Sequence, residues 1–102
     1  MVKKIELLYW SGCPSHPEAL ELLRSVANER GVTAEIALRS VESDDEAVLL
    51  AFPGSPTIRI DGVDIDPLGA SARPALTCRI YTLPDGRFSP VPSRTQLEEA
   101  LR

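Results

Sequence analysis

The feature that most constrains this chain is a junction near its start. Ile5, Leu7, Leu8, Tyr9 and Trp10 form a near-continuous apolar run that stops at Ser11-Gly12, and a long amphipathic stretch begins at Cys13-Pro14. A run of that kind, bounded by a turn signal, predicts a central strand covered on both faces. Pro14 suits the first helical position, where its missing N–H is no loss and its φ is preset. The spacing predicts a helix over residues 14–30, with Cys13 as its N-cap. Ala19, Leu20, Leu22, Leu23, Val26 and Ala27 recur at helical intervals, and Gly31 is a natural stop. Pro17 still falls within the first turn.

The remaining chain alternates between the two periods. Val32, Ala34, Ile36 and Leu38 alternate with polar or small residues, which predicts a strand. Ser43-Asp44-Asp45-Glu46 is a capping box opening a short helix through Ala47 and Phe52, closed by Pro53-Gly54. Pro56 to Ile60 reads as a strand ending in an Asp61-Gly62 turn. Val63 and Ile65 allow a short extended continuation. Residues 67–74 read as loop, and residues 77–83 (TCRIYTL) as the next strand. Pro84-Asp85-Gly86-Arg87 is a turn, and residues 88–91 can pair back briefly. Ser93-Arg94-Thr95-Gln96 is a second capping box, opening a helix through Leu97, Ala100 and Leu101. The order is strand, helix, strand, helix, strand, strand, helix. It predicts a single α/β domain over residues 1–102, a mixed four-stranded sheet with helices on both faces.

Composition narrows the partners. The net charge is −4 and the basic residues are scattered apart from Lys3-Lys4. Nucleic acid and anionic membrane are therefore poor partner classes. No apolar run approaches the ~18 residues of a membrane span, and the short run before Ser11 lacks the form of a signal peptide. The expected compartment is the cytoplasm, where two cysteines are more often free or reactive than bridged. Two Cys and one His are too few for a zinc site. No metal or cofactor is expected, and Asp61, Asp64 and Asp66 read as a solvated edge because their spacing does not match a calcium loop.

Two local signatures resemble the thioredoxin-like superfamily in its glutaredoxin-sized form. Trp10-Ser11-Gly12-Cys13-Pro14-Ser15-His16 looks like the aromatic-then-Cys-Pro-x-Cys entry to the first helix. Gly54-Ser55-Pro56-Thr57, ahead of a strand, looks like the cis-proline loop that faces the active cysteine. The resemblance implies a three-layer α/β/α sandwich and a substrate site at Trp10, Ser55, Pro56 and Thr57. It also exposes a departure: the second active-site cysteine falls at position 16, which here is His16.

The chemistry expected of this pattern is that of one reactive thiol. Cys13 at a helix N-terminus would be stabilised as thiolate by the dipole and free N–H groups. His16, one turn on, would hydrogen-bond the sulfur. With the 77–83 strand antiparallel to the 56–60 strand, Cys78 falls roughly four residues, about 13 Å, from Pro56 at ~3.3 Å per residue. That exceeds the ~7 Å Cα reach of a disulfide, so Cys78 reads as a core strand residue, with a resolving or intermolecular role as the alternative. Cys13 would form mixed disulfides released by an external thiol such as glutathione, or by a partner protein. The Ser55 and Thr57 backbone would receive an extended substrate by strand addition. The competing reading is a non-catalytic binding or sensing module, docking a partner or a soft metal through Cys13.

Overall fold

The computed structural model describes residues 2–67 and 72–102. The elements in chain order are β1 (Val2–Tyr9), α1 (His16–Glu29), β2 (Thr33–Ser40), α2 (Asp44–Leu49), β3 (Thr57–Ile60), β4 (Val63–Asp64), β5 (Tyr81–Thr82), β6 (Phe88–Ser89) and α3 (Arg94–Ala100). Four of the strands form a mixed sheet in the order β2-β1-β3-β4. β1 pairs parallel with β2, from Val2 opposite Thr33 to Tyr9 opposite Ser40, and antiparallel with β3. The central place expected for the apolar N-terminal run is the one it takes.

The sheet is covered on both faces because side chains alternate along a strand. Ile5 and Leu7 point one way, into a cluster with Leu23 and Val26 of α1, Ile58 of β3 and Leu97 of α3. Leu8 points the other way, against Val41, Ala47 and Phe52, with Trp10 packed alongside. Leu7, Leu8, Leu23 and Ile58 are fully buried, and each contributes about 1.5–3 kcal/mol by leaving water. Both short helices start as their capping boxes predict. The Ser43 hydroxyl accepts from the Glu46 N–H, and the Ser93 hydroxyl from the Gln96 N–H, each at 3.1 Å.

Two elements depart from the expected layout. α1 begins at His16 with Ser15 as N-cap, so Cys13 lies two residues ahead of the cap. Pro17 is the reason. A helix capped at Cys13 would need the residue 17 N–H to close its first turn, and proline has none. The first bond forms two residues later, from the Ala19 N–H to the Ser15 carbonyl. The second departure concerns the fourth strand. It is Val63–Asp64, directly after the Asp61-Gly62 turn, and not the 77–83 segment. Both turn residues have positive φ (52° and 84°), the geometry of a two-residue hairpin. The hairpin claims the free edge of β3, and the later segment is left to pair elsewhere. Part of it forms a separate two-stranded ribbon, Tyr81–Thr82 with Phe88–Ser89, the return expected after the Pro84–Arg87 turn. Of the loop expected over residues 67–74, residues 68–71 lie outside the described residues. Among the described residues no helix is long and apolar enough to cross a membrane.

Candidate functional site

β1 ends at Tyr9, and the chain turns through Trp10–Cys13 with the Cys13 N–H bonded to the Trp10 carbonyl at 3.0 Å. Two contacts fix this turn. The Glu42 carboxylate, just past β2, accepts from the Ser11 N–H (3.2 Å) and hydroxyl (2.8 Å) and from the Ser40 hydroxyl. Those Ser40 and Ser11 bonds hold its carboxyl below the usual carboxylate range. Gly12 lets the Trp10 ring fold back over the turn, since a Cβ there would meet the ring at 2.5 Å.

The Gly54–Thr57 loop faces this turn, and the Ser55–Pro56 peptide bond is cis. Ser55, Pro56 and Thr57 are all buried. The backbone that was expected to receive a substrate is already engaged. The Ser55 N–H donates to the Thr77 carbonyl and the Ser55 carbonyl accepts from the Arg79 N–H, both at 2.8 Å. Ser55 and Cys78 thus form a parallel bridge. The chain's own 77–79 segment occupies the place assigned to an incoming strand.

This pairing overturns the expected position of Cys78. The antiparallel register put it about 13 Å from the Cys13 end of the sheet, at ~3.3 Å per residue. In the structure the Cys78 Sγ lies 2.7 Å from the Cys13 Sγ. The cause is the β3–β4 hairpin, which displaces the 77–79 segment from the β3 edge to the Ser55 loop. Both cysteines are free; Cys13 is buried and Cys78 exposed.

Around the Cys13 sulfur lie the Cys78 sulfur, the Ser55 carbonyl oxygen at 3.6 Å and the Ser15 hydroxyl at 3.9 Å. Burial opposes ionisation of Cys13, but hydrogen bonds from Cys78 and from the Ser15 backbone and side chain outweigh it. The Cys13 thiol is held below its ordinary value. Donating that same hydrogen bond pushes Cys78 up. The thiolate is therefore stabilised by a neighbouring S–H and a turn N–H, not by the first turn of α1. In the reduced protein, thiolate absorbance should rise in two steps. The first falls below an ordinary thiol at about 8.5 and the second above it. A single step at the ordinary value would show that no proton is shared.

His16 is not among the sulfur's partners. Its ring stacks on Tyr9, with centroids 4.1 Å apart and planes 16° from parallel, and its Nδ1 lies 3.4 Å from the Cys13 carbonyl oxygen. It braces the turn rather than touching the thiol.

Two further residues, Arg79 and Tyr81, belong to the site and were not singled out from the sequence, and they draw in Asp64. Arg79 is buried, makes a two-pronged ion pair with Asp64 (both 2.8 Å), donates to the Thr57 hydroxyl at 3.2 Å and lies 4.6 Å over the Tyr81 ring. The Tyr81 hydroxyl donates to the Pro56 carbonyl at 2.6 Å. Burial raises the Tyr81 phenol well above its usual value, so it remains a donor. Asp64 is thus no solvated edge residue: its side chain is 7% exposed. Asp61 accepts from the Lys4 N–H, and Asp64 also accepts from the Asp66 N–H. The signal in the sequence was the i, i+2 placement of Arg79 and Tyr81, which puts both on one face of an extended segment with Cys78 on the other. No family model, curated protein or solved structure matches the chain.

Proposed function

We propose that this chain is a thioredoxin-like thiol–disulfide redox protein working through a reversible Cys13–Cys78 disulfide. The observation that carries the reading is the 2.7 Å separation of the two sulfurs. A movement of less than about 1 Å brings them to the ~2.05 Å of a disulfide bond. The cysteine at a strand-to-helix corner, facing a cis-proline loop, supports the kinship. The mixed disulfide of the sequence reading then needs no external thiol for its resolution, because a second sulfur stands beside the first.

In the oxidising direction, a thiolate of the pair attacks a low-molecular-weight or protein disulfide RSSR. One sulfur of RSSR leaves as a thiolate and takes up a proton. The remaining cysteine attacks the mixed disulfide, forms the Cys13–Cys78 bond and expels the second RS⁻. Two protein thiols become one disulfide while RSSR becomes two RSH. Glutathione, or a partner protein's thiols, supplies the other half of the couple, and the cytoplasm is the compartment this reading assigns.

The test uses the purified chain in dithiothreitol redox buffers. Wild type should lose both titratable thiols as a monomer when oxidised and regain them on reduction. Cys13→Ser and Cys78→Ser should each keep a single thiol. Reduction of hydroxyethyl disulfide by glutathione should fall to background in Cys78→Ser. Two thiols still titrating under excess oxidant would refute the pair. Full activity in Cys78→Ser would restore the single-cysteine mechanism.

A further inference from the structure

Resting on that redox reading, we propose that the pair is entered at Cys78, by a low-molecular-weight thiol that approaches through a cavity beside it, and that Cys13 is the leaving sulfur. Three observations converge. Cys13 is 0% exposed, while Cys78 is exposed. The main-chain edge at Ser55, the route by which a peptide would dock over Cys13, is closed by Thr77 and Arg79. Cys78 also lines a cavity of about 290 Å³, walled by Pro53, Asp66, Arg79, Ile80 and Thr82 among others. That volume sits at the small end of ligand pockets, ~300–1,000 Å³. It admits a small thiol.

The chemistry agrees with the access. An entering thiolate RS⁻ attacks the Cys78 Sγ of the internal disulfide. A bond forms between R–S and Cys78, the Cys13–Cys78 bond breaks, and its electron pair goes to the Cys13 Sγ. Ser15 is already placed to stabilise that charge, and a sulfur that is stable as thiolate leaves faster. A second RS⁻ then attacks the R-derived sulfur, releasing RSSR and Cys78 as thiolate, which takes a proton and donates it back toward Cys13. Two RSH are oxidised to RSSR, and the protein disulfide is reduced to two thiols. Ionisation alone would select Cys13 as the reactive sulfur of the reduced chain; the fold selects Cys78.

The oxidised full chain is mixed with limiting 2-mercaptoethanol, quenched with iodoacetamide within seconds and mapped by peptide mass spectrometry. The mercaptoethanol adduct should sit on Cys78 and the carbamidomethyl group on Cys13. In parallel, hydroxyethyl disulfide should modify Cys13→Ser severalfold faster than Cys78→Ser. Thr82→Trp, at an exposed strand position on the cavity wall, should slow modification of Cys78 severalfold with an unchanged circular dichroism spectrum. Adducts on Cys13, or faster reaction of Cys78→Ser, would overturn entry at Cys78 and leave the redox pair standing. An unchanged rate in Thr82→Trp would remove the cavity as the route. A chain that never forms the internal disulfide would remove both this proposal and the reading beneath it.

Discussion

Arg79→Leu should destabilise the fold by about 3–5 kcal/mol, the cost of leaving one member of a buried ion pair without its partner. The leucine keeps much of the apolar stem but strands the Asp64 carboxylate, whose side chain is 7% exposed. It also removes the Thr57 hydroxyl's donor and the guanidinium over Tyr81. Against a total stability of about 5–15 kcal/mol for a small domain, that loss is large. The melting temperature should drop by more than about 10 °C. The informative control is Arg79→Leu with Asp64→Leu, since taking both charges out together avoids the uncompensated carboxylate. The double variant should recover much of the loss in thermal and urea unfolding. A single variant within about 1 kcal/mol of wild type would mean that Asp64 finds water or another donor when Arg79 is gone, since a surface pair is worth no more than that.

The same clamp shows why part of this molecule could be read from sequence and part could not. The apolar run before Ser11, the capping boxes at Ser43 and Ser93 and the Asp61-Gly62 turn are local signals, and the elements they predict all form. The cis bond at Pro56 was also expected, from a four-residue pattern. Misreading began where local period no longer decides pairing. Residues 77–83 have strand character, but which edge they meet depends on whether β3 is already occupied. Two residues, Val63 and Asp64, are enough to occupy it. The α/β class with a mixed four-stranded sheet survives that error; the site does not, because the choice of pairing partner separates a distant Cys78 from one at 2.7 Å. The start of α1 was missed for a smaller reason of the same kind. Pro14 and Pro17 both fit a first turn, and the missing N–H of Pro17 decides between them. His16 was assigned to the sulfur by its spacing along a helix, and moving the helix start sends it to Tyr9 instead.

Gly54→Ala should be strongly damaging for so small a change, and it should act on stability and on the cysteine pair together. Gly54 has φ +138°, a conformation that side chains rarely adopt, at a cost of order 1–3 kcal/mol. Its added Cβ would lie 3.1 Å from the Arg79 Cβ and 3.3 Å from the Arg79 Cα and N. Two of these are backbone atoms and cannot swing aside as a flexible side chain would. Relief requires the 77–79 segment to move away, which lengthens the Arg79 N–H bond to the Ser55 carbonyl and draws Cys78 off Cys13. Overpacking of this kind costs typically about 1–3 kcal/mol more. Gly31→Ala separates backbone strain from the close approach: its φ is +66°, with nothing within 4 Å of the new Cβ. It should cost only about 1–2 kcal/mol and leave the thiols unchanged. In Gly54→Ala the first thiolate step should move up toward an ordinary thiol, since Cys13 loses the Cys78 hydrogen bond that lowers it. The fraction of internal disulfide in a fixed dithiothreitol buffer should fall with it. Thiol titration and disulfide fraction matching wild type in a folded Gly54→Ala would show that the cysteines are held together by something other than the pairing of Ser55 with residues 77–79.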